Sequence, residues 1–165
     1  MNDKQILFND LQNSFFFEGS DWVNILKQRE GRLPFLFEVK HVQGIYTERP
    51  WDDPEAYLNA YFMEWKRCKP QLAKLFAERN KCYATTEMTA QIGYFFEALF
   101  WMNGLPARPG IWNEIFSTLS IKPLNGKERL QYLLKQPGLF VSFIQLDELI
   151  EEMHKKWKAK SVERL

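Results

Sequence analysis

The run at residues 88–102, MTAQIGYFFEALFWM, constrains the fold more than any other part of the chain. Met88, Ile92, Phe95, Leu99 and Met102 recur at helical spacing. Phe96 and Phe100 widen that face on one flank, and Tyr94, Ala98 and Trp101 on the other. A helix that is apolar nearly all round belongs in a core, not on a surface. The run is too short for a membrane span and contains Gln91 and Glu97, so spanning is not expected. One narrow stripe differs: Thr86, Ala90, Gly93 and Glu97 share a line, small and then acidic. Small residues there admit a close approach by another segment. Glu97 reads either as a buried acid with a raised pKa or as a carboxylate paired with Arg or Lys or reaching water. The stripe favours the second reading.

Nearly every other segment also reads as helix. Asn2 with Gln5 makes a capping box ahead of Ile6, Leu7, Leu11 and Phe15. Ser20 caps a second helix carrying Trp22, Val23, Ile25 and Leu26, stopped by Gly31. The segment LPFLFEVKHVQG also alternates like a strand, but no partner strand is evident, so it is assigned as helix from Pro34 to Gly44. Asp53 and Pro54 open a helix with Tyr57, Leu58, Tyr61, Phe62 and Trp65 inside. Pro70 is expected to kink it or to end it near Cys68. The central helix is expected to start at Thr85 or Thr86 and to stop at Gly104. Pro109 begins a further helix through Trp112 and Leu119. Capping boxes at Asn125/Glu128 and Ser142/Gln145 open the last two, the final one running to about Lys160. The expectation is one all-α domain over 1–165, an irregular, orthogonal bundle of seven to nine helices around a central apolar helix at about 86–103.

Composition narrows the functions. The chain has 22 Lys plus Arg against 21 Asp plus Glu, so its net charge of +1 creates no whole-molecule field for nucleic acid or membrane. Two isolated cysteines, Cys68 and Cys82, suit a reduced, cytoplasmic interior. The first ten residues carry acids where a signal peptide would be basic. No Ser/His/Asp set, Cys/His pair or phosphate-binding glycine loop is present, so catalysis and a cofactor are not expected.

Three constellations remain. Both histidines follow a glutamate by three residues, Glu38/His41 and Glu151/His154. With lone carboxylates from Glu64 and Glu97, this is the pattern of a helical di-metal site. The helix faces weigh against it, because Glu38, His41 and Glu151 fall away from the apolar faces and only Glu97 is expected inside. Both pairs then read as surface pairs one turn apart. Lys66, Arg67, Lys69, Lys74, Arg79 and Lys81 form a basic run among aromatic neighbours, which reads as a solvated face or as a nucleic-acid contact. A second basic cluster, Lys155 to Arg164, matches the helix macrodipole and needs no ligand. The loop with Tyr46, Arg49 and Trp51, together with Arg108, offers aromatic and Arg side chains of the kind found at interface hot spots. The alternative for Trp51 is that it folds back onto the helix it precedes.

Four stretches, Arg49-Pro50-Trp51, Phe62-Met63-Glu64-Trp65, NGKERLQYLLKQPG at 125–138 and SFIQLDELIEE at 142–152, together resemble the YpoC-like family of small Bacillus-type bacterial proteins. The resemblance runs from about residue 34 onward and is most specific in the C-terminal third. It implies no catalytic residues. Members are commonly encoded beside DNA repair and replication genes and a cell-wall synthase gene, which implies a role near DNA or the division machinery. The function expected from the residues is a small cytoplasmic protein that acts by binding another protein. A DNA-associated accessory protein using the 66–81 face is the alternative, and a carboxylate/histidine metal protein is a second one.

Overall fold

The computed structural model describes residues 9–13, 15–16 and 32–164. Among them the chain is helical without a strand: α1 (Leu36–Val42), α2 (Glu55–Ala77), α3 (Lys81–Met102), α4 (Trp112–Ile115), a 3-10 turn (Phe116–Thr118), α5 (Gly126–Lys135) and α6 (Phe140–Glu163). Of the expected first helix, residues 9–11 are described and helical. The expected helix at 20–31 lies outside the described residues.

The central helix is where its apolar run placed it. Fourteen residues of α3 are buried, from Ala84 to Met102. The long helices α2 and α6 pack against α3 and against each other, and α5 packs on α6. The core they enclose is aromatic, with Trp65, Trp157, Phe35, Phe95, Phe96 and Phe100 almost fully covered. Polar groups tie its edges. Asp147 on α6 accepts from the Trp65 indole at 2.9 Å and from Lys69 at 2.6 Å. The Asn103 side chain donates to the carbonyls of Leu99 and Ile121 and accepts from the Ile121 N–H, all at 2.8 Å. It thereby satisfies orphan groups at the end of α3 and pins the loop that follows.

Several boundaries differ from expectation. α2 runs unbroken through Pro70. An interior proline costs about 3 kcal/mol. Leu58, Phe62 and Trp65 before it and Leu72 after it are all buried, and each contributes about 1.5–3 kcal/mol, so packing wins. α2 ends because Arg79 adopts a left-handed conformation, φ 54°, with the Arg79 and Asn80 N–H groups returning to Phe76 and Leu75. α3 then starts at Lys81, about one turn before the expected threonines, with the Asn80 side chain accepting from the Tyr83 N–H at 3.5 Å. The threonines sit inside the helix, where Thr86 donates to Cys82 O at 3.0 Å and Thr89 to Thr85 O at 2.9 Å. The helix expected from Pro109 is reduced to α4 and the 3-10 turn. Asn125 precedes α5 in a left-handed conformation with no side-chain cap. Ser142 lies inside α6, its hydroxyl donating to Gln136 O at 2.5 Å.

The segment at 35–43 is helix, as assigned, although α1 begins at Leu36 and not at Pro34. The strap before it, residues 32–35, crosses α3 on the small-residue stripe. A Cβ on Gly93 would stand 2.7 Å from Pro34 Cβ, so only glycine admits the proline ring at this crossing.

Candidate functional site

Where the strap crosses α3, charges enter the core. Glu97 is 1% exposed, and both its oxygens accept from the Arg32 guanidinium at 2.7 Å. Its Oε1 also accepts from the Phe35 N–H at 2.5 Å, with Phe35 held at φ 67°. The open question about Glu97 therefore resolves to an acid that is buried and paired. Burial raises its pKa, and Arg32 and the Phe35 amide oppose that rise. Arg32 is fixed from three further sides, its guanidinium lying 5.0 Å from the Tyr94 ring, 5.3 Å from Phe37 and 5.7 Å from Trp101. The Tyr94 hydroxyl donates to the Arg32 carbonyl.

Glu38 corrects the sequence reading. It was expected on the surface, and it is fully buried. α1 is wedged between α3 and the loop after it, so the side away from Val39 is covered as well. Glu38 Oε1 accepts from the Trp101 indole at 2.8 Å and from the Ala107 N–H at 2.9 Å. Its Oε2 is buried with no hydrogen-bond partner. Burial, and then the neighbouring Glu97 charge, push its pKa up to about 7.

Beside this cluster a cleft of about 710 Å³ opens between α2 and α3, from Tyr57 and Trp101 at one end to Gln71 and Glu87 at the other. Its rim is closed by a Glu64–Arg67 ion pair and by the Gln91 amide donating to Glu87 at 3.0 Å. The buried hydroxyl of Tyr61 finds no hydrogen-bond partner in this wall.

The metal candidates are not assembled. Among the described residues no group of three or more His, Cys, Asp or Glu is placed to hold an ion. Glu38 and Glu97 hold the partners given above, and Glu64 is exposed and paired with Arg67. The His41 ring meets Trp51 edge-on at 5.6 Å. His154 stacks on Phe62 at 4.1 Å, its pKa lowered by burial and by Lys158 and Lys66. Glu151 is half-exposed on α6.

The aromatic loop divides. Tyr46 is 96% exposed, whereas Trp51 is buried at 4%, folded back under Arg49, whose guanidinium lies 5.7 Å from its ring. Arg49 is exposed and pairs with Asp52 at 2.9 Å. Arg108 joins the chain's beginning to the 108–110 turn through Asp10, its Nε donating at 2.8 Å. In the basic run, Arg67, Lys69 and Lys74 are paired with Glu64, Asp147 and Glu78. Lys66, Arg79 and Lys81 are exposed and form no ion pair among the described residues.

One surface was missed. At the start of α6, Leu139, Phe140, Val141 and Ile144 are 38, 55, 48 and 40% exposed. Phe140 leans on Phe76 and Phe143, with ring centroids 5.8 and 5.7 Å away. Gly138, just before it, packs against the first turn of α3, within reach of Thr85 and Lys81. Tyr83, 67% exposed, stands on that same turn. The signal was the run LFVSFI at 139–144, which is too apolar to supply only one buried stripe.

The sequence model of the YpoC-like protein family matches residues 55–164. A Bacillus subtilis (strain 168) relative named "Uncharacterized protein YpoC" is 35% identical over 107 residues, 64% of this chain and 65% of the relative. The matched region thus spans less than two thirds of that relative's length. No solved structure matches the chain. The matched region contains α2, α3, α5 and α6, the helices that build the core and wall the cleft, and the chain belongs to the YpoC-like protein family.

Proposed function

We propose that this protein is a non-catalytic binding module of the cytoplasm that engages a protein partner at the corner where α6 begins. The observation that carries this reading is the exposed apolar group Leu139, Phe140, Val141 and Ile144. Contiguous apolar surface rimmed by polar residues marks interaction sites, because covering it releases water at little desolvation cost. The rim here is cationic. Lys81 lies against Gly138, Arg79 stands just before it in sequence, and the first turn of α6 holds no acid to offset its helix dipole. An apolar centre with a positive rim fits an amphipathic partner segment carrying apolar anchors and acidic flanks. The unpaired thiols of Cys68 and Cys82 support a reducing compartment.

The test is capture from native lysate with a photo-crosslinking residue at Tyr83, which is exposed on the neighbouring turn of α3. The expected result is an acid-rich partner held by the parent protein and lost with Val141→Asp plus Ile144→Asp, at unchanged helicity. A partner that survives the double substitution overturns the reading. So does the absence of any captured protein alongside a salt-dependent DNA gel shift weakened by Arg79→Glu plus Lys81→Glu.

A further inference from the structure

We infer that the seam between α2 and α6 carries a binding site for an oligophosphate, a chain of two or more linked phosphoryl groups, built from Lys66, His154 and Lys158. The two helices run antiparallel, with Phe62 stacked on His154 at 4.1 Å and Asp147 accepting from Trp65 and Lys69 farther along. Lys66 is one turn from Phe62 on α2, and Lys158 is one turn from His154 on α6. Because the helices are antiparallel, the two lysines flank the imidazole on opposite sides, each about 6 Å along the seam. Both are exposed, and neither forms an ion pair or a hydrogen bond among the described residues. The His154 ring is half-buried on Phe62 and likewise makes no hydrogen bond among them.

Local structure does not account for this group of cations. The basic end of α6 complements its helix dipole, but Lys66 lies in the middle of α2 (Glu55–Ala77), where a dipole offers it nothing. No carboxylate answers it either. Asp147 is taken by Lys69 and Trp65, and half-exposed Glu151 forms no ion pair among the described residues. Burial, then Lys158 and Lys66, lower the His154 pKa, and Glu151 opposes them only in part. Like charges gathered on one ridge without an internal counter-charge attract an anion. The three donors lie in line over about 12 Å, which suits a chain of charged groups better than one compact anion. Each phosphoryl group brings negative charge and several acceptor oxygens, so a short chain reaches the imidazole N–H and both ammonium groups together.

The test is proton NMR of the full chain, which has two histidines, titrated with tripolyphosphate and with ATP, both without magnesium. The expected result is a saturable shift of the His154 ring resonance, identified by its loss in His154→Gln, with His41 unmoved. The His154 pKa should rise on binding, because a bound anion favours the imidazolium. Lys66→Ala plus Lys158→Ala, at exposed positions, should abolish the response and raise the pKa of unliganded His154. Arg79→Glu plus Lys81→Glu should leave the response unchanged, which separates a site from general attraction. Equal responses to the two probes place recognition in the phosphate chain, and a stronger response to ATP adds its nucleoside. Three results overturn the inference: neither probe gives a saturable response at millimolar concentration, the response survives the double alanine variant, or inorganic phosphate, tetraglutamate or an oligonucleotide acts more strongly than tripolyphosphate.

Discussion

Two regions of this molecule depart from the usual sorting of residues, in opposite directions. Under the strap, Arg32, Glu38 and Glu97 bring charge into the core. At the start of α6, Leu139, Phe140, Val141 and Ile144 hold apolar surface in water. The two differ in how far the molecule answers them, Glu38 keeping one oxygen without a partner. Glu97 is met by a guanidinium fork, a backbone amide and a glycine that admits the strap. Around the α6 corner, among the described residues, Phe76 and Phe143 lean on Phe140, while Leu139, Phe140, Val141 and Ile144 stay 38–55% exposed. Polar burial that is answered from within is architecture. Apolar exposure that is not answered is where a partner has to be sought.

The sharpest way to break the comparison is Arg32→Met. It strands Glu97 in the core, and removing one member of a buried pair costs about 3–5 kcal/mol. Urea denaturation at pH 8 should show that loss. Adding Glu97→Leu should recover much of it, because an apolar pair needs no answer. A loss below about 1 kcal/mol would mean that Glu97 is not held by Arg32.

Glu38 tests the same region through pH. Its carboxyl is shifted from 4.5 in the open chain to about 7 when folded, by burial and then by Glu97. The folded state therefore holds the proton more tightly. The stability this contributes is full below pH 4.5 and is lost as the pH rises to about 7. That shift corresponds to about 3 kcal/mol. Glu97 acts in the same direction, since its pKa is also raised. The urea midpoint of the parent should fall over this range relative to Glu38→Gln, the difference levelling off above about pH 7. Parallel curves would show that Glu38 ionises freely.

Gly93→Ala is smaller in effect. On an ordinary helix it would stabilise by about 1 kcal/mol. Here the methyl meets the rigid Pro34 ring, and overpacking of about 1–3 kcal/mol reverses the sign. A net loss near 1 kcal/mol is expected in thermal and urea melts, and a gain would place the strap elsewhere. The smallest effect belongs to the other region. Val141→Asp, at a position 48% exposed, should change stability by less than about 0.5 kcal/mol while abolishing partner capture. A large destabilisation would make the corner part of the core.

How much of this was readable beforehand follows from distance along the chain. The burial of α3 was legible because fifteen consecutive residues carried a helical apolar pattern. The close approach at Ala90 and Gly93 was legible as small side chains, but what approached was not, because Pro34 lies 59 residues earlier and no local spacing links it to Gly93. Glu38 was misplaced because helix-face reasoning assumes one covered side, and α1 is covered on two. Trp51 carries two readings in the sequence, a partner contact or packing onto the helix it precedes, and the structure buries it against His41 and Arg49. Pro70 was given its local effect, which the packing on either side of it outweighs.

The sequence by itself determined that the fold is helical, as the described residues are, and that residues 88–102 are its axis. Those conclusions rest on period and composition, which act between near neighbours. Only the tertiary structure decided that Arg32 is the partner of Glu97, that Glu38 is buried with one oxygen unanswered, and that 139–144 leaves its apolar side in water. Each of these depends on which surfaces remain once α2, α3 and α6 have packed together. Burial is a property of the assembled whole, and a single helix does not carry it.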